Sequence, residues 1–482
     1  MLARSAALGA LVTLGCRSAP PAGPPPRLTL WGQPFSVAGA QALFVTQTDD
    51  AGKEAGVSVT YQTSSPNDQR TQLRTAEASG QLPDVAIVAS VDTPRLVARG
   101  LVRDVRASFE RIAGVNGDLF PPLLGLATAG PWNDLPSYPK PPIWAIPHLS
   151  SGGAWLVRRD LLENKTIPPP SSFADFQSSV EQLTAGANGG FGWGAALPLD
   201  DGVDDLTQVV LLDHGAALFE GNGVRVALTP ADAEAGFKAI ARLYRSDSGL
   251  ALAPSDAMDW SPNDAATTFA RGTVAQTIDY GGLYAAIVEA APTLRDVILA
   301  LPPPQGPKGR FTAASTTMFV VGSRSRVGDR AVDFLERLLG PVRFEAIVRA
   351  GAGSIVPPYA YLTKGPFWED DPNYQVFAAN ARGDPARNFQ YATPGSPAPL
   401  TLSVANVRGK QILAGLLRRV VKGDLTPAAA ATALNEQSQL AAREGYALQP
   451  APTATPSPTW WRVLTTLQQI VSPDTPTAAN GS

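Results

Sequence analysis

The stretch Pro142-Ile143-Trp144-Ala145-Ile146-Pro147-His148-Leu149-Ser150-Ser151-Gly152-Gly153-Ala154-Trp155-Leu156-Val157-Arg158-Arg159-Asp160-Leu161-Leu162 decides how the rest of the chain is read. Ile143 to Ile146 and Ala154 to Val157 have strand composition, and Pro147 with the small residues Ser150, Ser151, Gly152 and Gly153 separates them. Proline cannot donate to a ladder, so the chain is expected to leave one sheet at Pro147 and enter another after the glycines. A crossing of this kind joins two lobes and leaves a cleft, a favoured place for a small ligand.

At 482 residues the chain exceeds one small core, and two lobes plus extra segments fit its length. Hydrophobic residues at 44% are ample for a folded core, which sets the chain apart from disordered sequences. A net charge of -3 and a pI near 5.6 supply no basic stripe to replace phosphate counterions, so nucleic acid is not a partner. With 45 prolines and 44 glycines, the loops are expected to be extensive and partly stiffened.

The N-terminus carries one positive charge, Arg4, and then an apolar run too short to span a bilayer, as secretory signals do. The only cysteine, Cys16, follows at once, so an internal disulfide framework is excluded. Thr13-Leu14-Gly15-Cys16 resembles a bacterial lipobox, although Thr13 stands where leucine is preferred; the resemblance implies cleavage over 1–16 and acylation of Cys16. Residues 17–27 are a Pro-rich, semi-rigid tether.

Leu28 to Trp31 alternates like a first strand, a helix is expected from about Val37 to Ala51, and Gly56 to Tyr61 alternates again. A further helix over Gln69 to Ser79 precedes Ser79-Gly80-Gln81-Leu82-Pro83-Asp84-Val85-Ala86-Ile87-Val88 and Gly100-Leu101-Val102-Arg103-Asp104. Strands alternating with helices predict parallel pairing in an α/β sheet. An early strand ending in Trp31, Gly56-Val57-Ser58-Val59-Thr60-Tyr61, Ser79-Gly80-Gln81-Leu82-Pro83-Asp84-Val85 and Gly100-Leu101-Val102-Arg103-Asp104 together resemble, in order and spacing, bacterial extracellular solute-binding proteins of family 1. These are the sugar-binding subunits of ABC importers. The resemblance covers roughly 28–445 and implies a periplasmic-binding-protein-like type II fold, two α/β lobes joined by hinge crossings. It makes Trp31, Gln33, Asp84 and Ser90 candidate ligand contacts at strand ends, with Ser150 beside the first crossing.

Further along, Pro168 to Phe176 resembles the family's loop and helix start, with Phe173 in the place of a tryptophan. Gly189 to Gly194 is glycine-rich, but it lacks the spacing and following helix of a dinucleotide site. Asp200 to Asp205 suggests calcium, yet Leu211 stands where an EF-hand needs glutamate, so Asp204 or Asp205 is expected to cap a helix from Leu206 to Phe219 and no metal is expected. Phe269 to Leu283 resembles a family strand and turn in which a tryptophan stacks on sugar; here Tyr280 and Tyr284 flank Gly282 and Leu283 instead. Trp260, Asp279 and Tyr280 are candidate contacts on this side, because aromatic faces suit sugar C–H surfaces and planar polar groups take hydroxyls. Val297 to Pro302 resembles a second hinge, and Thr316 to Val321 a strand returning to the first lobe. Gly351 to Pro357 resembles a third crossing, adding Thr316 and Ser354 to the candidates.

The expected division is 28–142 with 302–353 for the first lobe and 143–301 with 354–447 for the second. A Pro/Thr linker follows over 448–459, then an amphipathic helix and tail over 460–482. The implied protein is a monomeric lipid-anchored receptor outside the cytoplasm, without cofactor or catalysis, that closes on a sugar-like solute and meets ABC permease subunits. An extracellular carbohydrate-active enzyme is the rival, with carboxylates from Asp84, Asp259, Asp279 or Glu369, though no spacing singles out a pair. A binding protein serving a signalling receptor is the third reading. His148 and His214 are the only histidines and neither has a nucleophile motif, so a hydrolase of that kind is poorly served. His148 is expected to be a structural histidine rather than a ligand contact.

Overall fold

The structure is a computed structural model that describes residues 24–128, 142–185, 190–279, 282–351, 353, 355–383 and 389–447. Strand and helix alternate from the start: β1 (Arg27–Gly32), α1 (Ala38–Glu54), β2 (Ser58–Thr63), α2 (Pro66–Ser79) and β3 (Val85–Ala89). Local chemistry sets these limits. The Ser65 hydroxyl accepts the Asp68 N–H, Pro66 pre-sets the first turn of α2, and Gly80 ends it in the left-handed region at φ 69°. Then come α3 (Thr93–Ala98), α4 (Arg106–Asn116), α5 (Pro121–Thr128) and β4 (Ile146–Gly152).

After one residue, Gly153, the chain forms β5 (Ala154–Arg158), then α6 (Arg159–Asn164), α7 (Phe173–Ala185), α8 (Asp201–Asp213), α9 (Pro230–Tyr244), α10 (Pro262–Ala270) and β6 (Gln276–Asp279). α11 (Leu283–Ala290), β7 (Ile298–Leu301), β8 (Arg310–Thr312), β9 (Ala314–Val321), α12 (Gly328–Leu338) and α13 (Pro341–Ala350) follow. The last elements are α14 (Pro366–Glu369), α15 (Pro372–Arg382), β10 (Phe389–Tyr391), α16 (Leu402–Gly409), α17 (Ile412–Lys422) and α18 (Pro427–Ala447).

Two separate sheets anchor two lobes. The first has the order β2-β1-β3-β9-β4, with β1 parallel to β2 and β3, and with β9 antiparallel to β3 and β4. Its central strand, Val85 to Val88, is apolar throughout and buried, as a strand covered on both faces must be. The second sheet has the order β6-β5-β7. Its faces pack an aromatic cluster in which Trp155 meets Phe176 and Trp193 with ring centroids 4.4 and 5.3 Å apart.

Two crossings run between the sheets: β4 to β5 directly through Gly153, and β7 to β9 through residues 302–313, which include β8 paired with β10. The first crossing, at Gly153, lies six residues beyond Pro147, because Pro147 is itself inside β4. β4 is an edge strand with a bulge between Pro147 and Leu149, where a missing N–H leaves no ladder bond unmade. The third passage is also later than expected. The Ser150 N–H donates to Val356, the Phe120 N–H to Pro358 and the Ala360 N–H to Asp118, so the chain stays with the first lobe to Ala360. It joins the second where Asn373 of α15 accepts the Ala300 N–H at 2.7 Å.

The far end of α15 then braces the hinge. The Asn380 side-chain amide donates to the Gly153 carbonyl at 2.7 Å, and the Thr312 hydroxyl donates to the Asn380 carbonyl at 2.9 Å. A Cβ on Gly152 would stand 2.4 Å from the Ala381 nitrogen, so only glycine lets α15 lie this close. Asp204 and Asp205 fall inside α8 rather than capping it; the cap is Asp200, which accepts the Val203 N–H.

Candidate functional site

The register of the two sheets places one set of strand ends against another across the hinge. From the first lobe come Gln33 after β1, Ser90 after β3, Ser150 near the end of β4 and Thr316 near the start of β9. From the second come Ala154, paired with Asp279 of β6, and Leu301 of β7, paired with Trp155. Ligands of open α/β sheets bind outside such carboxyl ends. Ser90, Ser150 and Thr316 are all buried there. The Ser150 and Thr316 hydroxyls lie 3.3 Å apart, and Thr316 is 3.3 Å from the Tyr391 hydroxyl on β10. Tyr391 is half-buried, and burial pushes its pKa up to about 12. It therefore stays a neutral donor and acceptor at any physiological pH. Tyr391 escaped the sequence reading because its strand is three residues long and lies 75 residues from Thr316.

Other sequence candidates do different work. Gln33 donates to Gln69 at 2.7 Å, and its carbonyl accepts the Tyr61 hydroxyl. Asp279 accepts the N–H groups of Gly282, Leu283 and Tyr284, so its carboxylate caps α11 at the cleft edge. Trp31 does not face the cleft: its indole N–H donates to Gln62 at 2.9 Å and its ring lines a groove between α2 and the sheet. Asp84 precedes β3, at the opposite end from the cleft, and its oxygens hold the Thr29 N–H and the Ser325 hydroxyl. Trp260 packs over Gly194, where an added Cβ would meet its ring at 3.0 Å. Tyr280, Ser354 and Cys16 lie outside the described residues, as does the segment 460–482.

His148 sits in the core of the first lobe. It is buried against Phe35, Phe44 and Phe319, with Thr317 hydrogen-bonded to its ring, and burial drives its pKa down to about 3. The carboxylates of the enzyme reading are dispersed: Asp84 and Asp279 are occupied as described, Asp259 pairs with Arg418 at 2.5 Å, and Glu369 stands on α14. Among the described residues no group of three or more His, Cys, Asp or Glu is placed to hold a metal.

One ion pair joins the lobes at a rim of charge that sequence spacing did not disclose, and two further charged groups, one inside each lobe, flank it. Arg70 of α2 donates to Asp201 of α8 at 2.7 Å, with both side chains mostly buried. Arg95 of α3 pairs with Glu77 and Asp92 at 3.0 and 3.1 Å. Arg408 of α16 is enclosed with Asp204 and Asp205 of α8, and α16 packs on α3 and the turn at Ser90 to Asp92. Burial pushes Asp92 up to about 6 against the pull of Arg95. Burial likewise raises Asp204 and Asp205 to about 7, opposed by Arg408. On the other side of the cleft, a Cβ on Gly282 would meet the Ser36 hydroxyl at 2.7 Å. The lobes are thus closed on each other.

Two lobes, two crossings between their sheets and buried hydroxyls at the facing strand ends define a protein that binds a small molecule by closing around it. Residues 46–376 match the family model described as bacterial extracellular solute-binding protein, and the chain belongs to that family. Among solved structures, the GacH receptor of Streptomyces glaucescens GLA.O, described unliganded and with acarbose, is 16% identical with a TM-score of 0.70, covering 87% of this chain and 99% of its own. A sugar transporter protein from Arthrobacter chlorophenolicus A6 with bound laminaribiose is 16% identical with a TM-score of 0.70, over 86% of this chain and 99% of its own. Maltose-bound T. maritima MalE3 is 14% identical with a TM-score of 0.70, again over 86% and 99%. A search of curated proteins gives no match. Family membership implies work outside the cytoplasm, and among the described residues no helix is long and apolar enough to cross a membrane.

Proposed function

We propose that the chain captures a carbohydrate, or a related small polar solute, between its lobes and presents it in the closed form to the permease of an ABC importer. The observation that carries this reading is the cluster Ser150, Thr316 and Tyr391, three neutral hydroxyls from three strands, beside a crossing only one residue long. Hydroxyls that can both donate and accept suit a polyol, and ligand-driven closure requires that the ligand touch both halves more in the closed state than in the open one. The acarbose, laminaribiose and maltose named for the structural relatives have that chemistry. The chain acts without catalysis, as a monomer held to the outer membrane face through acylated Cys16 and the tether 17–27.

A thermal-shift screen with mono- and oligosaccharides tests the reading, because a ligand of the folded state raises Tm by mass action. A hit should lose its shift in the double variant Thr316→Val with Tyr391→Phe, which keeps shape and removes two hydroxyls. An undiminished shift in that variant removes the site; consumption of the hit would turn the reading to the enzyme.

A further inference from the structure

Away from the cleft, the first lobe carries a groove of about 720 Å³, within the range of small-molecule sites. Its floor is the sheet face that bears Thr29 and Trp31 of β1 and Gln62 of β2, and α2 forms one wall. Both faces of such a sheet are normally covered, yet here a half-buried indole meets the groove beside its register partner Gln62. The opposite wall is residues 324–327.

The charge of the lining is unlike that of the protein. Arg27, Arg324 and Arg326 all border the groove, and among the described residues none of them forms an ion pair. The one acid of the lining, Asp84, is spent on the Thr29 N–H and the Ser325 hydroxyl at 2.9 and 2.6 Å. Three guanidiniums against one engaged carboxylate make this a positive concavity on a chain of net charge -3. Guanidiniums in this setting recognise phosphate or carboxylate, the indole offers an apolar face to a ring or carbon chain, and Gln72 and Gln81 offer amides to hydroxyls.

We propose that this groove is a second binding site, for an acidic polyol such as a sugar acid, a sugar phosphate or a glycerophosphate. The same chemistry occurs on a free metabolite and on an anionic lipid headgroup. Arg27, one of the three guanidiniums, opens β1 directly after the Pro-rich segment.

The test uses the full chain. Titration calorimetry with glycerol 1-phosphate and with glucuronate should give binding that glycerol and glucose do not give. Cosedimentation with phosphatidylcholine vesicles, with and without phosphatidylglycerol, asks whether the groove takes the same group from a lipid. Arg324→Ala with Arg326→Ala changes two exposed side chains and should weaken the acidic ligand by roughly tenfold or more, while any saccharide bound in the cleft keeps its affinity. Acidic binding in either arm that the double variant loses supports the site. Undiminished acidic binding in the variant, equal binding of acidic and neutral polyols, or no binding in both arms overturns it.

Discussion

At the hinge, Ser150, Thr316, Tyr391 and Asn380 join the lobes through hydroxyl and amide hydrogen bonds. At the rim, Arg70 with Asp201 does so through charge, flanked by Arg95 with Asp92 and Glu77 inside the first lobe and by Arg408 with Asp204 and Asp205 inside the second. Neutral hydrogen bonds each contribute about 0.5–1.5 kcal/mol, nearly independent of salt and pH. Buried ion pairs set strong attraction against a desolvation cost of several kcal/mol, and their balance moves when either partner titrates. The hinge therefore fixes where the lobes pivot in any medium. The rim makes the tightness of closure depend on the medium.

The largest break in this comparison should come from Arg408→Ala. It leaves two enclosed carboxylates, Asp204 and Asp205, facing an empty volume, and loss of one partner from a buried ion pair costs about 3–5 kcal/mol. Chemical denaturation should show the unfolding free energy falling by that amount, with the midpoint lowered at unchanged slope. Adding Asp204→Asn and Asp205→Asn to an Arg408→Met variant should restore much of it, and no recovery would mean that the arginine acts by packing alone. At the hinge, Gly152→Ala should cost about 1–3 kcal/mol, because its methyl would meet the α15 backbone. That loss should be the same at low and high salt, measured as the difference in denaturation midpoint from the parent protein.

The same contrast explains what the sequence could disclose. β1, β2 and β3 lie close to their predicted places because alternation and turn residues are local signals, while the predicted second hinge, Val297 to Pro302, is mostly strand β7 and the crossing itself follows it over 302–313. Ser90, Ser150 and Thr316 were legible as strand-end residues once the sheets were laid out. Trp31 was legible as a strand residue but not in its direction, since a period of two does not say which face meets the cleft. Asp84 lies at the end of its strand away from the cleft. Pro147 misled because an edge strand tolerates proline at a bulge. The rim was invisible because Arg408 stands 203 residues from Asp205, and only the tertiary fold brings them together.

The smallest effect expected is the one that separates rim from hinge most cleanly. Asp92, Asp204 and Asp205 ionise in the folded protein near 6, 7 and 7, against about 3.9 for an unfolded aspartate. Between those values the folded state holds more protons than the unfolded chain, so the contribution of these groups is full below about pH 4 and is lost as pH rises through 6 to 7. Denaturation midpoints across this window should fall with pH, after other carboxylates are accounted for by comparison with Asp92→Asn. That variant removes one of the three titrations and should flatten the slope in the lower part of the window, near pH 6. A double variant at the hinge, Thr316→Val with Tyr391→Phe, removes no group that titrates there and should leave the slope as it was. Equal slopes in the Asp92→Asn and parent proteins would mean that Asp92 is ionised throughout, with Arg95 outweighing burial.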